Sequence, residues 1–290
     1  VAGGGAVVSE VRSEGVSRDR RGSEDANDFD ADAGSVAGAR VNADELASVA
    51  AQFGVARAQV ERDHLISHLL GYLSAHFADR IVFIGGTALA RTHLVDGRLS
   101  EDIDLIAVGS RSDVARDLDR ALPRAIMRSH GRLVWDPAIS EVPEHLGAVL
   151  RSQSGLAVKV QLLSAEGRPT WPLENRQLEQ RYEDALGAEL TVPTRPAFVA
   201  GKAVTWCDRR ASRDLWDLWA LNRIGAFEPD VADLYQRFGP TNKLPGQWQF
   251  ADIPTESDWE SQLSGQTRLT VTAREAANLV ARAWQALATS

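Results

Sequence analysis

The sequence predicts an α+β fold, in which a domain built on a mixed sheet (residues 41–193) is followed by a helical domain (residues 194–290). Three observations predict it. Residues 81–84 and 103–108 are short, mostly β-branched apolar runs of strand length, with a glycine turn and a run of helix formers between them. Further strand-length runs lie at residues 132–135, 156–163 and 189–193. Beyond Pro193 and Pro196 the apolar residues recur at helical spacing, over residues 197–224 and again over 272–287.

The chain has 290 residues, room for two modest domains, and 44% of them are hydrophobic, enough for a sizeable core. It holds no apolar run of membrane-spanning length. Its start lacks the basic residues and apolar core of a signal peptide, so a cytoplasmic protein is the simplest reading. The single cysteine, Cys207, excludes an internal disulfide and reads as a small core residue. A net charge of −8 argues against a broad surface for nucleic acid, which would need many cations. Residues 1–40 carry eight acids against five arginines, a net of −3, which leaves −5 on the remainder and room for local basic patches. Lysine occurs only at 159, 202 and 243; arginine, suited to bidentate phosphate contact, supplies the other cations.

Residues 1–40 are rich in Gly, Ser, Ala, Asp and Arg without periodicity, and are expected to be disordered. Asn42 caps an expected helix ending at Gly54. A second helix spans residues 56–77, with Leu65, Leu69 and Leu73 on its apolar stripe. His64 within it reads as a structural histidine, with ligation as the alternative. Residues 111–129 form a helix blemished by Pro123. Arg116, Arg120, Arg124 and Arg128 recur on one of its faces, which reads as a solvated face before it reads as an RNA contact. In residues 156–163, Lys159 and Gln161 share a strand face. Residues 197–224 are helical with a break near 208–212. Trp248 and Trp259 read as packing residues, with base stacking as the alternative. Thr272 and Glu275 form a capping box for the last helix.

The chemistry concentrates in residues 81–105. Asp102 and Asp104 are two apart on a strand, so both carboxylates project from one face while Ile103 and Leu105 point into a core. Adjacent like charges repel unless neutralised, and Mg²⁺ is commonly held by one or two carboxylates together with substrate phosphates. Gly85, Gly86 and Thr87 precede a helix. Glycines admit close approach of a ligand, helix N-terminal N–H groups attract phosphate, and the Thr87 hydroxyl offers a further hydrogen bond. A solvated strand end explains the carboxylates alone, and an ordinary turn explains the glycines alone. Strand, turn, helix, loop and strand in this order point to a site for a nucleoside triphosphate and a metal ion.

Gly85-Gly86-Thr87-Ala88-Leu89, followed by Arg98-x-Ser100-x-Asp102-x-Asp104, resembles the nucleotidyltransferase superfamily of DNA polymerase β. Within it the pattern is similar to the AbiEii/AbiGii toxin family, which includes the mycobacterial MenT toxins. The stretch Val60-Glu61-Arg62-Asp63-His64 also looks like the segment that precedes the glycine loop there. The resemblance implies a polymerase-β-like domain with a mixed sheet. It implies that Gly85, Gly86, Thr87, Arg98 and Ser100 bind nucleotide and that Asp102 and Asp104 hold Mg²⁺. A third carboxylate commonly sits on a neighbouring strand; the matching position here holds Gln161, leaving Glu141 or Glu166 to substitute in space.

Lys202, followed by Arg213-Asp214-x-x-Asp217-Leu218, resembles the last motif of the family. This implies that Lys202 contacts triphosphate and that Asp214 is needed for activity. From its place on an otherwise apolar helix, Lys202→Ala is expected to weaken triphosphate binding more than stability. The implied function is that of a toxin in a toxin–antitoxin pair, transferring a nucleotide from an NTP to an RNA acceptor, the 3′ end of tRNA in the MenT case, with a cognate antitoxin as partner. The resemblance also implies phosphorylation of Ser100 as a means of inhibition. Two alternatives stay open: a nucleotidyltransferase acting on an antibiotic or a protein, and a non-catalytic nucleotide-binding member, for which Gln161 is the main support.

Overall fold

Asn42 opens the described chain by accepting a hydrogen bond from the Asp44 N–H, and so caps helix α1 (Ala43–Phe53). The computed structural model describes residues 42–289; the tail expected at residues 1–40 lies outside them. Gly54, at φ 68°, closes α1 in the left-handed conformation, and helix α2 (Arg57–Phe77) follows. Leu65, Leu69 and Leu73 of α2 are fully buried, as their spacing predicts.

Strand β1 (Ile81–Ile84) runs straight into helix α3 (Gly85–Thr92). The expected separate turn before Ala88 does not form. Gly85 takes φ +81°, so one residue turns the chain, and the helix begins three residues earlier than its propensities suggest. Strand β2 (Asp102–Ala107) then alternates half-buried and buried positions, with Ile103, Leu105 and Ala107 in the core.

Helix α4 (Arg111–Ala125) is capped by Ser110, whose hydroxyl accepts from the Asp113 N–H. It continues through Pro123 and stops at Ile126; the short helix α5 (Met127–His130) follows. Strands β3 (Val134–Trp135), β4 (Ala148–Arg151) and β5 (Ala157–Ser164) complete a five-stranded sheet of order β1-β2-β5-β4-β3. β2 and β5 are parallel and the other neighbours antiparallel, so the sheet is mixed. β6 (Leu173–Leu178) and β7 (Ala188–Pro193) form a separate antiparallel ribbon. β4 and β6 are additions to the expected strands.

Helices α6 (Arg195–Arg209) and α7 (Ser212–Arg223) meet at Arg210, which has φ 52°. Helices α8 (Pro229–Phe238), α9 (Glu256–Leu263) and α10 (Ala273–Thr289) complete the described chain. Trp259 is buried and its indole N–H donates to the Val271 carbonyl, whereas Trp248 is exposed. One hydrophobic cluster includes Leu69 of α2, Leu105 of β2, Val160 of β5, Trp206 of α6, Leu218 of α7 and Trp284 of α10. No described helix is long and apolar enough to cross a membrane.

A buried ion pair ties α3 to α2. The Arg91 guanidinium meets the Asp63 carboxylate at 2.8 Å, and both side chains are nearly inaccessible. Arg91 also donates to the carbonyls of Asp63 and Glu179, while the Tyr182 hydroxyl donates to the second Asp63 oxygen. Burial lowers the Arg91 pKa to about 10, and Asp63 opposes that fall. Removing one partner of such a pair strands a charge in a medium that cannot solvate it. Asp63→Ala is therefore expected to cost about 3–5 kcal/mol of stability in urea unfolding; a loss below about 1 kcal/mol would show that the pair does not hold α3 in place.

Candidate active site

The two aspartates of β2 open onto a cleft of about 490 Å³ between the sheet and helices α6 and α7. That volume lies in the range of small-molecule sites. Asp102 and Asp104 line it, as do Gly85, Gly86, Arg98, Ser100, Lys202 and Asp214. Of the residues expected at a nucleotide site, Thr87 does not line the cleft. It is buried, and its hydroxyl donates to the Asp102 carbonyl. Thr87 thus braces the start of β2, and its hydroxyl is not free to bind phosphate.

Gly85 and Gly86 are required sterically. A Cβ at Gly85 would overlap the Asp104 carboxylate, and the positive φ would strain any other residue. A Cβ at Gly86 would lie 2.8 Å from an Arg98 guanidinium nitrogen and 3.2 Å from the Ser100 hydroxyl oxygen. The Ser100 hydroxyl has no hydrogen-bond partner among the described residues.

The Asp104 carboxyl is raised to about 6: burial contributes most, the negative Asp102 adds to it, and Lys202 and Lys159 oppose the rise. Two carboxylates this close are ionised together most readily with a cation between them. The oxygen donors, their crowding and the glycine cradle beside them fit a hard divalent ion such as Mg²⁺. Gln161 pairs in register with Asp104 across the β2–β5 ladder and lines the cleft. Its side-chain N–H donates to the Glu144 carbonyl at 2.9 Å, which leaves only the amide oxygen as a donor to a cation. Neither Glu141 nor Glu166 lines the cleft, so neither supplies the missing carboxylate there.

Across the cleft lies a network of buried charges. Arg98 makes a two-pronged contact with Asp217, at 2.8 and 3.0 Å, and a third bond to Gln266. Lys202 Nζ lies 2.7 Å from Asp217 and 3.1 Å from Asp214. Arg209 grips Asp214 at 2.7 and 3.0 Å. Burial pushes the Asp214 carboxyl up, but Lys202 and Arg209 more than offset it and hold it at about 2. Asp217 is lowered in the same way: burial opposes ionisation, and Arg98 and Lys202 prevail. The Lys202 ammonium is disfavoured by burial and raised on balance by Asp217 and Asp214. These pairs revise one expectation. Lys202→Ala would take one of two cations from each of two buried carboxylates, so a cost in stability is expected beside the weaker triphosphate binding.

The site is electropositive although the chain is acidic. Six cations line the cleft (Arg98, Lys159, Arg168, Lys202, Arg209 and Arg213) against three carboxylates (Asp102, Asp104 and Asp214). Lys159 and Arg213 have no carboxylate within ion-pairing distance among the described residues. Asp217 entered the sequence reading only within the Arg213-Asp214-x-x-Asp217-Leu218 motif, with no role of its own, and Arg209 was passed over. The Asp214-x-x-Asp217 spacing was the available signal for the first; nothing in the sequence marks the second. The expected arginine stripe lies elsewhere: Arg116 and Arg120 pair along α4 with Asp113 and Asp117.

A family model described as nucleotidyl transferase AbiEii toxin, type IV toxin–antitoxin system, matches residues 69–290. Among solved structures, the nucleotidyltransferase toxin MenT4 of Mycobacterium tuberculosis H37Rv is similar with a TM-score of 0.62 and 21% identity, covering 84% of this chain and 90% of that one. An antigenic nucleotidyltransferase-like protein of Paracoccidioides brasiliensis, 14% identical over 70% of this chain and 97% of that one, reaches a TM-score of 0.35, too low to establish a shared fold. No curated relative matches the sequence.

Asp217→Ala leaves Arg98 and Lys202 short of a buried counter-charge. It is expected to cost about 3–5 kcal/mol of stability, measured by urea unfolding against the parent; a change under about 1 kcal/mol would mean that the network relaxes without it.

Proposed function

We propose, from the premise that this chain belongs to the AbiEii nucleotidyl transferase toxin family of type IV toxin–antitoxin systems, that it moves a nucleoside monophosphate from an NTP to the 3′ end of tRNA. The observation that carries the reading is the cleft itself, with paired carboxylates on one wall and a cationic network on the other. In the reaction the acceptor's 3′ oxygen bonds to the α-phosphorus. The bond from that phosphorus to the bridging oxygen breaks, pyrophosphate leaves, and the acceptor's proton is released.

Asp102 and Asp104 would hold Mg²⁺, which when bound supplies Lewis-acid stabilisation of the charge that develops on the phosphates. The backbone of Gly85 and Gly86 offers room and N–H groups at the start of α3, where phosphate is favoured. Arg98, Lys202 and Arg209 outnumber Asp214 and Asp217 by one charge, so the network presents a net positive end to the triphosphate. These charges are fixed before substrate arrives, which is how preorganised sites stabilise a transition state. Lys159, Arg168 and Arg213 are the local cations available to an RNA backbone, so binding of RNA should weaken as salt rises. Blocking a tRNA 3′ end would stop aminoacylation and, with it, translation in the cytoplasm, and a cognate antitoxin would hold this activity in check. The test is to incubate the protein with small RNA and each NTP in turn and to sequence the RNA 3′ ends. Added nucleotides confined to tRNA support the reading, and unchanged ends under every NTP refute it.

Asp104→Ala is expected to abolish transfer, at least 10²-fold, while leaving the far-UV circular dichroism unchanged, because the side chain faces the cleft and makes no core contact. Transfer at the parental rate would remove the β2 carboxylates from the mechanism.

Ser100 lines the cleft beside the Asp102 and Asp104 pair. A phosphate there would add about −1.5 to −2 charges and repel an incoming triphosphate. As a point of inhibition by a kinase-type antitoxin, it predicts that Ser100→Glu lowers transfer more than Ser100→Ala does. Equal transfer by the two variants, assayed side by side, would remove Ser100 from regulation.

A further inference from the structure

Outside the cleft, a second group of side chains converges. His64 and His68 are four apart on α2 and therefore share a face. His130 ends α5, and Asp184 lies on the loop between β6 and β7. His64 Nε2 lies 3.0 and 3.1 Å from the two Asp184 oxygens and 3.2 Å from His68 Nε2. His68 Nε2 lies 3.4 Å from Asp184. His130 Nε2 approaches His64 Nδ1 at 3.1 Å, and one nitrogen of each imidazole lies within 4.8 Å of the other two.

Protons alone serve this arrangement badly. A neutral imidazole carries one N–H. If His64 Nε2–H donates to Asp184, then His68 Nε2 must give up its own contact with Asp184 and act as an acceptor, or the two N–H groups face each other at 3.2 Å. A cation removes the conflict, because the Nε2 lone pairs of His64 and His68 can then point to one centre together with an Asp184 oxygen. The spacing also suits it. Zinc–ligand bonds of about 2.0–2.1 Å in a tetrahedron place neighbouring donors ~3.3 Å apart, and the triangle of His64 Nε2, His68 Nε2 and Asp184 has edges of 3.0 to 3.4 Å.

We propose that His64, His68 and Asp184 bind one Zn²⁺ ion in a site separate from the catalytic cleft, with His130 seated against the other ring nitrogen of His64. Imidazole and carboxylate donors suit zinc, whereas an ion such as Mg²⁺ prefers oxygen donors throughout. The ring of His64 is oriented through its other nitrogen by His130, whose Nε2 lies 3.1 Å from His64 Nδ1 and whose Nδ1 lies 3.1 Å from the Ser129 hydroxyl, in the manner of supported metal ligands. The ion would join α2 to the β6–β7 loop, with the end of α5 packed against it through His130. That loop also carries Tyr182, and Tyr182 holds the Asp63 carboxylate that anchors Arg91 of α3. Zinc at this point would therefore stiffen the brace behind the glycine cradle, and its role is structural.

The test uses the full chain free of any histidine tag and stripped with a chelator. Zn²⁺ is titrated by calorimetry, and thermal unfolding is followed with and without the metal. One equivalent should bind, and a hundred-fold excess over Kd should raise Tm by about 5 °C. Co²⁺ in place of Zn²⁺ should give the intense visible bands of a tetrahedral site. His68→Gln and Asp184→Asn, each checked for folding by circular dichroism, should weaken binding at least ten-fold. The Asp102→Ala, Asp104→Ala double variant should keep the Co²⁺ spectrum, which separates this site from the cleft. Absence of saturable binding, parental affinity in both His68→Gln and Asp184→Asn, or loss of the spectrum with the cleft aspartates would each overturn the assignment. Should either ligand variant fail to fold, the parental Co²⁺ spectrum decides: tetrahedral bands support the site, and only weak octahedral bands overturn it.

Discussion

The candidate site depends on one chain of charges, buried except at its exposed end, Arg209: Arg98, Asp217, Lys202, Asp214 and Arg209. Each carboxylate in it is shared between two cations, and neither Asp214 nor Asp217 has appreciable access to water. Such an array is a poor device for stability, since desolvation consumes much of what the pairing contributes. It is a good device for position. A buried charge that leaves its place loses its only solvation, so Arg98, Asp217, Lys202 and Asp214 are held within a narrow range. Arg98 lies 119 residues from Asp217 along the chain, and this contact joins the segment leading into β2 to helix α7. Lys202 and Arg209 then join α7 to α6. The sheet wall and the helical wall of the cleft are thereby set against one another by charge as well as by the apolar core.

The glycines make that arrangement possible. With Gly86 lacking a Cβ, the Arg98 guanidinium can lie directly behind the α3 N-terminus. With Gly85 at positive φ, the same N-terminus starts immediately at the end of β1, close to the Asp104 carboxylate. Thr87 then clamps the Asp102 carbonyl, and Arg91 anchors the far end of the helix to α2 through Asp63. A helix of eight residues has little stability of its own. Its place is imposed by these four contacts, and so is the place of the phosphate-attracting N–H groups at its start.

Much of this was legible in the sequence where a local pattern carries the information. The alternation of β2 put Asp102 and Asp104 on one face and Ile103 and Leu105 in the core. The break between α6 and α7 fell within the expected interval, and Lys202 and Asp214 meet as a buried pair. β4 and β6 were not legible: β4 has four residues, and β6 (Leu-Glu-Asn-Arg-Gln-Leu) is mostly polar and exposed, so neither shows a period. Arg209 looked like any arginine near a helix end, and only the fold brings it onto Asp214. The histidine cluster was hidden for the same reason. His64 and His68 are neighbours on one helix, but His130 and Asp184 lie 66 and 120 residues from His64. The Thr87 hydroxyl was misjudged because a side chain one turn into a helix can face the ligand or the sheet, and the sequence does not distinguish these.

The central claim is that the cleft between β2 and helices α6 and α7 is where a nucleoside triphosphate and its metal ion bind. Crystals grown with a non-hydrolysable NTP and Mn²⁺ test it most directly, because Mn²⁺ can be located by anomalous scattering. An anomalous peak is expected between the carboxylates of Asp102 and Asp104, with the triphosphate lying along Gly85 and Gly86 toward Lys202. Nucleotide and metal found together at any other place on the protein would contradict it.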